Sequence, residues 1–279
     1  MRFLALSTLG ALFTGRRTFT WSRSLLHRHM ATDAKKALRK SMKSTLSKLT
    51  EDDVTQQSQK AQQLILSHPQ YQCANRISVY LSMPNSEAQT DLIVRDALNA
   101  GKGVFVPYMH RPKTSEAEPK KRSIIEMLRL ASAAEYESLE RDSWGIPSLP
   151  AATVETRQNA TGGKGLAGEE SDGVGLDLIV VPGVAFDAGM NRLGHGAGFY
   201  DEFLTRYCSN GQRRKPFLRE SALIQGNHVK KQLLMSPAVG LCLTDQALSG
   251  EMEIPTSEHD WQMDAVAVGD GRLIALKSE

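Results

Sequence analysis

The sequence predicts an α/β fold, a three-layer α/β/α domain with a mostly parallel central sheet. One observation is the order strand, helix, strand over residues 77–107, because a short connection through a helix favours a right-handed βαβ unit. A second is the apolar run DLIVV at residues 177–181, typical of a strand buried on both faces. No internal repeat is present, so residues 33–275 are predicted to form a single domain.

The first predicted helix covers residues 33–48, where apolar side chains recur from Leu38 at i, i+4, i+8 and i+11. Lys35 and Arg39 lie one turn apart at the margin of this apolar stripe. Basic residues in such positions usually form a solvated face. The alternative is that both reach an anion held by the core.

The βαβ unit follows a second helix, for which Thr50 resembles an N-cap. The first strand of the unit, residues 77–82, ends in a turn that leads to Glu87, and the helix is predicted to begin at a Thr90 cap and to end at Gly101. Glu87 is therefore expected at the carboxyl end of a strand, where open α/β sheets bind their ligands.

A charged loop then leads to a possible strand at residues 123–130 and a rigid turn at residues 144–147. Trp144 in this turn is interpreted either as a core residue or as a stacking surface for a flat heterocycle. Composition predicts two polar insertions, at about residues 151–175 and 211–237, and the first is expected to be disordered or mobile.

The most informative stretch is a glycine loop, residues 194–198, between the strand at 177–181 and a helix that begins near Phe199. Its three alternate glycines allow the backbone to approach an anion closely. The spacing G-x-G-x-G is neither a dinucleotide fingerprint nor a P-loop, and periodicity alone fits a plain turn equally well. Arg192 offers a forked cation for phosphate and Asp201 a hard oxygen ligand for Mg²⁺, which favours a phosphate site.

Two further strands are predicted at residues 239–243 and 265–268, and Asp264 directly precedes the second. Asp264 is either a surface turn acid or a second candidate magnesium ligand. A phosphate loop, two acids, helix cations and a strand-end glutamate together indicate ATP-dependent phosphoryl chemistry on a small planar substrate.

Composition excludes several other classes. The net charge of +3 arises partly from the first thirty residues and is not a nucleic-acid footprint. The three cysteines are never in a C-x-x-C pair, and no H-E-x-x-H is present, so neither a disulfide framework nor a transition-metal site is favoured.

The amino-terminal residues 1–32 differ in composition from the rest. They contain five arginines, many Ser and Thr, and no acidic residue, which is typical of a mitochondrial transit peptide. A secretory signal is a weaker interpretation, and an unstructured leader without an address is an alternative. Initiation at Met30 would give a cytosolic form. We therefore expect a mitochondrial or cytoplasmic protein, or both, and no membrane partner, because the apolar run is too short to span a bilayer.

A resemblance to a known family gives these features a function. Residues 182–204, PGVAFDAGMNRLGHGAGFYDEFL, are similar to the signature of the 5-formyltetrahydrofolate cyclo-ligases, also called methenyltetrahydrofolate synthetases. The family pattern is roughly P-G-x-x-F-D followed by R-L-G-x-G-x-G-[YF]-Y-D. Other matches occur in the same order along residues 35–268: Lys35 with Arg39, residues 77–83 with Glu87 and Thr90, Val106-Pro107, residues 144–147, and His259-Asp260 with Asp264.

The resemblance implies an ATP- and Mg²⁺-dependent conversion of 5-formyltetrahydrofolate to 5,10-methenyltetrahydrofolate, with ADP and phosphate as products. We also expect a monomer. The resemblance assigns ATP binding to Lys35, Arg39, Arg192, Leu193, Gly194, His195, Gly196, Ala197, Gly198, Phe199 and Tyr200. Contact with the folate is assigned to Leu81, Glu87, Trp144, His195, Gly196, Ala197, Gly198 and Phe199, and magnesium to Asp201 and Asp264.

One position departs from the family pattern. The family commonly has G-K-G where this chain has Gly196-Ala197-Gly198, and Ala197 offers no charge to a phosphate. Either another cation substitutes, with His195 and Arg192 the nearest candidates, or the enzyme is weak or altered. Two other functions stay open at this point, a non-catalytic folate-binding paralogue and a different small-molecule kinase on the same scaffold.

Overall fold

The computed structural model describes residues 21–112, 122–166, 175–209 and 237–275, with side chains from residue 31 onward. Most of the predicted leader and nearly all of the predicted insertion at 211–237 lie outside these ranges. The first helix begins at Trp21, twelve residues before the predicted start, so it includes residues 21–32 at the end of the predicted leader. These residues contain neither Gly nor Pro, and nothing local ends the helix there.

Six α-helices are present in the described part of the chain: α1 (Trp21–Leu46), α2 (Glu51–Ser67), α3 (Pro69–Cys73), α4 (Asp91–Asn99), α5 (Ala133–Ser138) and α6 (Phe199–Ser209). Two short 3₁₀-helices cover Ala151–Thr156 and Thr244–Gln246. No helix among these residues is long and apolar enough to cross a membrane.

Nine strands are described: β1 (Arg76–Val79), β2 (Gly103–His110), β3 (Ile124–Leu130), β4 (Leu178–Val181), β5 (Ala185–Phe186), β6 (Arg192–Leu193), β7 (Ala238–Cys242), β8 (Ala265–Val268) and β9 (Leu273–Ala275). Seven form one sheet in the order β3-β2-β1-β4-β7-β8-β9. The five central strands are parallel, and β3 and β9 pair antiparallel at the two edges. The predicted mostly parallel sheet is confirmed.

Apolar cores cover both faces of this sheet, which gives the three predicted layers. On one face, residues of α2 and α4 such as Ile65 and Ile93 join a cluster with β1 and β4. On the other, Phe203 and Tyr207 of α6 pack with Phe105 of β2 and other strand residues. A third cluster joins the α1 stripe to the β5–β6 hairpin, so α1 is held over the loop that leaves this hairpin.

The disorder predicted for residues 151–175 is wrong for residues 151–166, whereas residues 167–174 lie outside the described ranges. The Arg129 amide donates to the Gln158 carbonyl at 2.9 Å, and the Ala160 amide donates to the Met127 carbonyl at 2.8 Å, which attaches the segment to β3. Asn159 is 1% exposed and its amide group donates to Glu126 and to the Gly165 carbonyl. The polar composition of this segment suggested disorder. Its buried polar groups are hydrogen-bonded, however, so their burial does not carry the cost of unpaired polar groups.

The helix α4 is capped differently from the prediction. Thr90 makes no side-chain cap, and its hydroxyl donates to the Tyr80 carbonyl at 2.7 Å. Instead the side-chain oxygen of Gln62, on α2, accepts from the amides of Leu92 and Ile93 at 2.9 and 3.2 Å. The sequence near α4 carries no sign of a cap supplied by another helix. For α2, the N-cap predicted at Thr50 is confirmed as a capping box.

Replacement of Gln62 by methionine is expected to lower the free energy of unfolding by about 2 kcal/mol, because two buried amides lose their acceptor at nearly constant side-chain volume. Chemical denaturation measures the effect. The neighbouring Gln63 is exposed, and Gln63→Met is the matched control, with an expected change below about 0.5 kcal/mol. Equal effects of the two variants would contradict capping by Gln62.

Candidate active site

The site lies at the carboxyl ends of β1 and β4. These neighbouring strands are in the middle of the sheet, and the chain continues from β1 toward β2 on one side and from β4 toward β7 on the other. Open α/β sheets bind ligands in the crevice at such a switch point. The loop after β1 contains Glu87, and the segment after β4 contains the glycine loop.

A short hairpin that the sequence did not predict carries the glycine loop. The strands β5 and β6 pair antiparallel, and Asp187 fixes their turn. This carboxylate is 1% exposed and accepts from the amide and side chain of Asn191 at 2.9 and 3.0 Å and from the Ile254 amide at 2.9 Å. Asp187 belongs to the F-D of the signature, so the motif was visible but its structural role was not.

The glycine loop itself is exposed over residues 195–198 and leads directly into the eleven-residue helix α6. Gly196 and Gly198 have φ values of 108° and 75°, which side chains other than glycine rarely adopt. Free amides at the N-terminus of a helix, approached by a glycine backbone, suit an anion. Between the glycines, Ala197 is exposed and carries no charge.

One of the two helix cations singled out in the sequence, Arg39, contacts this loop, and whether Lys35 and Arg39 reach an anion stays a prediction. Arg39 Nε donates to the Gly194 carbonyl at 2.7 Å, and a Cβ built on Gly196 would lie 3.5 Å from the guanidinium carbon. Lys35, one turn earlier, pairs with Asp260 at 2.6 Å. Burial lowers the pKa of Arg39, while the charge of Asp260 acts in the opposite direction.

Arg192 lies beneath the loop, with 7% of its surface exposed. Its guanidinium donates to Asp201 Oδ2 at 2.8 Å and to the Pro182 carbonyl at 3.2 Å, and it lies 5.8 Å from the ring centre of Tyr200. Among the described residues, Arg192 Nε and the Tyr200 hydroxyl are buried without a hydrogen-bond partner. Unsatisfied buried donors are costly, and a ligand in this site could supply acceptors for both. Burial, assisted by the charge of Glu87, raises the pKa of Tyr200.

Leu193, Phe199 and Leu81 contribute differently from the charged residues. Leu193 is fully buried in the core cluster under α1, and Leu81 is 5% exposed. Phe199 is half-buried and packs against the core on the α6 side.

A buried carboxylate faces the loop from the β1 side. Glu87 is 5% exposed and accepts from the Met83 amide at 3.0 Å. His195 Nε2 lies 3.8 Å from its other oxygen, so the structure brings together these two predicted folate residues. A buried carboxylate with one hydrogen bond in the described part of the chain can accept several more.

Trp144 is 72% exposed, so the core interpretation is wrong, and the stacking interpretation stays a prediction. Asp142 holds its turn by accepting from the amides of Trp144 and Ile146. A Cβ on Gly145 would lie 2.8 Å from Pro84, which shows how closely the turn approaches the loop that precedes Glu87.

The two predicted magnesium acids are at different edges of the sheet. Asp201 is next to the glycine loop, paired with Arg192, and its second oxygen accepts from the Trp261 amide at 3.1 Å. Asp264 directly precedes β8, at the amino-terminal edge, and accepts from the Ala238 amide at 2.7 Å. The structure thus places Asp201 at the loop and does not bring Asp264 there. Among the described residues, no group of three His, Cys, Asp or Glu side chains could hold a metal ion.

We expect the free energy of unfolding to depend on pH through the Asp264 carboxyl group. Burial raises its pKa to about 6, with the Ala238 amide opposing. Between about pH 4 and pH 6 the folded protein holds a proton that the unfolded chain has lost, so this group makes stability fall as pH rises through that window. In metal-free buffer, Asp264→Asn is expected to raise the free energy of unfolding at pH 7 by about 2 kcal/mol and to change it little at pH 4. Denaturant titrations at both pH values measure this, with the exposed acid change Glu251→Gln as control; equal effects at the two pH values would contradict it.

Comparisons with known proteins connect this arrangement to chemistry. A family model described as the 5-formyltetrahydrofolate cyclo-ligase family matches residues 31–269. A mouse 5-formyltetrahydrofolate cyclo-ligase is 31% identical over 237 residues, which covers 85% of this chain and 94% of the relative. A mitochondrial 5-formyltetrahydrofolate cyclo-ligase of Arabidopsis thaliana is 28% identical, over 64% of this chain and 60% of the relative.

The fold also resembles a solved structure. The NMR structure of a 5,10-methenyltetrahydrofolate synthetase of Aquifex aeolicus superposes with a TM-score of 0.55 at 21% identity, over 88% of this chain and 94% of that one. This similarity supports the three-layer architecture.

Proposed function

The chain belongs to the 5-formyltetrahydrofolate cyclo-ligase family, and we propose that the glycine-loop site converts 5-formyltetrahydrofolate to 5,10-methenyltetrahydrofolate with ATP, releasing ADP and phosphate. The observation that carries the proposal is that Arg39 and Arg192 both lie against the glycine loop, while the loop residue His195 lies 3.8 Å from the buried Glu87. Cations suit the phosphates of ATP, and a buried carboxylate suits the N–H groups of a pterin ring.

The reaction requires positioning and charge neutralisation more than a protein nucleophile. The formyl oxygen attacks the γ-phosphorus and ADP leaves, which gives an imidate-like phosphate. N10 then attacks the former formyl carbon and the ring closes; N10 gives up its proton, and phosphate departs with that proton. In this scheme Lys35, Arg39 and Arg192 bind phosphate oxygens, while the backbone of the glycine loop lies between nucleotide and folate. Trp144 provides a flat surface for the pterin.

Magnesium is proposed as the companion of ATP. Mg²⁺ commonly binds one or two carboxylates together with phosphate oxygens and water. Asp201 fits this pattern, because it lies in the first turn of α6 beside the loop, and the bound ion would neutralise phosphate charge. Asp264 fits this pattern less well, because it lies at the amino-terminal end of β8 and its carboxylate already accepts from the Ala238 amide.

Two rival functions make different predictions for the same assay. A folate-binding paralogue without activity is favoured only by the uncharged Ala197, and a different small-molecule kinase would transfer phosphate without closing a ring. Purified protein is incubated with ATP, Mg²⁺ and 5-formyltetrahydrofolate, and the methenyl product is followed by its near-ultraviolet absorbance. Absence of product with folate binding retained would reject the enzyme; phosphate transfer without methenyl product would favour the kinase.

The change Ala197→Lys is expected to raise kcat/KM for ATP by about tenfold or more, because it adds a cation to the exposed loop where the family commonly has lysine. Its control is Ala197→Met, which adds a chain of similar length without charge. Equal effects of lysine and methionine would show that the missing charge does not limit the enzyme and that His195 or Arg192 already substitutes.

We propose a mitochondrial or cytoplasmic location, or both, and a monomer whose partners are its two substrates. The composition of residues 1–32 supports import, and a relative named mitochondrial exists. A fluorescent fusion of residues 1–32 tests the leader, and purely diffuse fluorescence would count against import. Light scattering of the purified protein tests the monomer.

A further inference from the structure

A segment near the carboxyl end of the chain joins two elements of the site. Asp260 Oδ2 accepts from Lys35 Nζ of α1 at 2.6 Å, and from the amide and hydroxyl of Ser257 at 2.6 and 2.8 Å. The next residue, Trp261, donates its amide to Asp201 of α6 at 3.1 Å and its indole N–H to Thr205 at 2.9 Å. Adjacent residues thus hold a cation of α1 and the acid that pairs with Arg192.

The ion pair between Lys35 and Asp260 is partly shielded from solvent. The side chains of Lys35 and Asp260 are 15% and 23% exposed, so their attraction is screened less than that of a surface pair. Burial works against ionisation of Asp260, yet the hydrogen bonds from Lys35 and Ser257 prevail and lower its pKa. The same carboxylate also acts electrostatically on Arg39. Asp260 therefore influences both Lys35 and Arg39.

If the contact between Asp260 and α1 only stabilised the fold, any residue along the helix could make it. Here the helix residue is one predicted to bind ATP, and the neighbouring contact is made to Asp201 beside the glycine loop. The ammonium group of Lys35 is carried on a flexible four-carbon chain. Because Asp260 already holds this group in place, less side-chain entropy is lost when a phosphate binds. The location of the two contacts favours a role in binding nucleotide.

We propose that Asp260 is a positioning residue of the nucleotide site and that it holds the Lys35 ammonium in place for an ATP phosphate. The adjacent Trp261 holds the Arg192–Asp201 pair in a fixed position relative to Lys35. This inference rests on the proposed function. Asp260 acts through Lys35 and touches no reacting atom. Loss of Asp260 therefore weakens ATP binding without changing folate binding.

The test compares Asp260→Ala, Asp260→Asn, Lys35→Met and the double variant in the full chain. Asp260→Ala is expected to raise KM and Kd for ATP about tenfold, with KM for folate and kcat at saturating ATP within about twofold. Asp260→Asn, which keeps an acceptor for Ser257, is expected to give a similar increase because it loses the charge. Since Asp260 acts through Lys35, the double variant should bind ATP no more weakly than Lys35→Met alone.

Asp177→Ala is the structural control. Asp177, like Asp260, is a hydrogen-bond acceptor, here for the backbone amides of Asn75 and Arg76 at 2.8 and 2.9 Å, at the other edge of the sheet. This control is expected to leave the KM and Kd for ATP unchanged. Additive effects of Asp260 and Lys35, or equal increases in the KM for ATP and folate, would overturn the positioning role. Direct titration of ATP keeps the test independent of turnover, so an inactive wild-type protein that binds ATP would reject the proposed reaction alone.

Discussion

Arg192→Leu is expected to reduce kcat/KM about 1000-fold and to lower the free energy of unfolding by about 3 kcal/mol. Arg192 is the buried cation of the site, and its guanidinium donates to both Asp201 and the Pro182 carbonyl. Leucine leaves the Asp201 carboxylate without its partner and removes a forked donor from the phosphate site. Arg192→Lys restores the charge but not the fork, so it is expected to recover only part of the activity.

The matched control is Arg157→Leu. Arg157 is 8% exposed and donates to both oxygens of Glu135 at 2.5 and 3.2 Å, and it also donates to the Arg129 carbonyl of β3, so it lies on the β3 side of the sheet. Its loss is expected to destabilise the protein by a similar amount while kcat/KM of the folded fraction stays within about threefold. Denaturation curves and steady-state kinetics on both variants separate the effects. Equal loss of activity in the two would show that Arg192 acts through stability alone.

Elements whose apolar pattern is local were predictable from the sequence. The β8 strand has the predicted bounds, and the βαβ unit, the apolar stripe of α1 and the second helix are all confirmed. The β5–β6 hairpin was missed because each strand has two residues, too few for any periodicity. The ordered structure of residues 151–166 was missed because buried polar groups are recognisable only through their hydrogen-bond partners.

The sequence predicts those site residues that belong to a recognisable motif. The structure places Arg39, Arg192 and Glu87 around one loop, and their assignment to ATP and folate stays a prediction. The roles of Gln62 and Asp260 were not predictable, because each supports a residue distant in sequence: Gln62 caps a helix thirty residues later, and Asp260 pairs with Lys35 across 225 positions. Long-range pairs of this kind leave no spacing in the sequence.

Glu87→Gln is expected to lower kcat/KM for 5-formyltetrahydrofolate about 100-fold and to leave KM for ATP within about threefold. Hydrogen bonds to a charged acceptor contribute about 1.5–3 kcal/mol each, and two such bonds to a pterin edge would be weakened together. Glutamine retains an oxygen for the Met83 amide, so the loop is expected to keep its conformation. It also adds a donor that faces the pterin N–H groups, which opposes binding.

Glu126→Gln provides the control, because Glu126 is another buried carboxylate, 3% exposed, that accepts from Arg206 at 2.7 Å and from Asn159. It lies on β3, away from the glycine loop, so its neutralisation is expected to cost stability but not folate specificity. Steady-state kinetics with each substrate varied in turn measure both variants. If Glu87→Gln raised the KM values for ATP and folate equally, Glu87 would support the loop as a whole. A selective effect on folate would assign the buried carboxylate to the pterin. Glutamine has the same shape as glutamate, so the two side chains differ only in charge and hydrogen bonding.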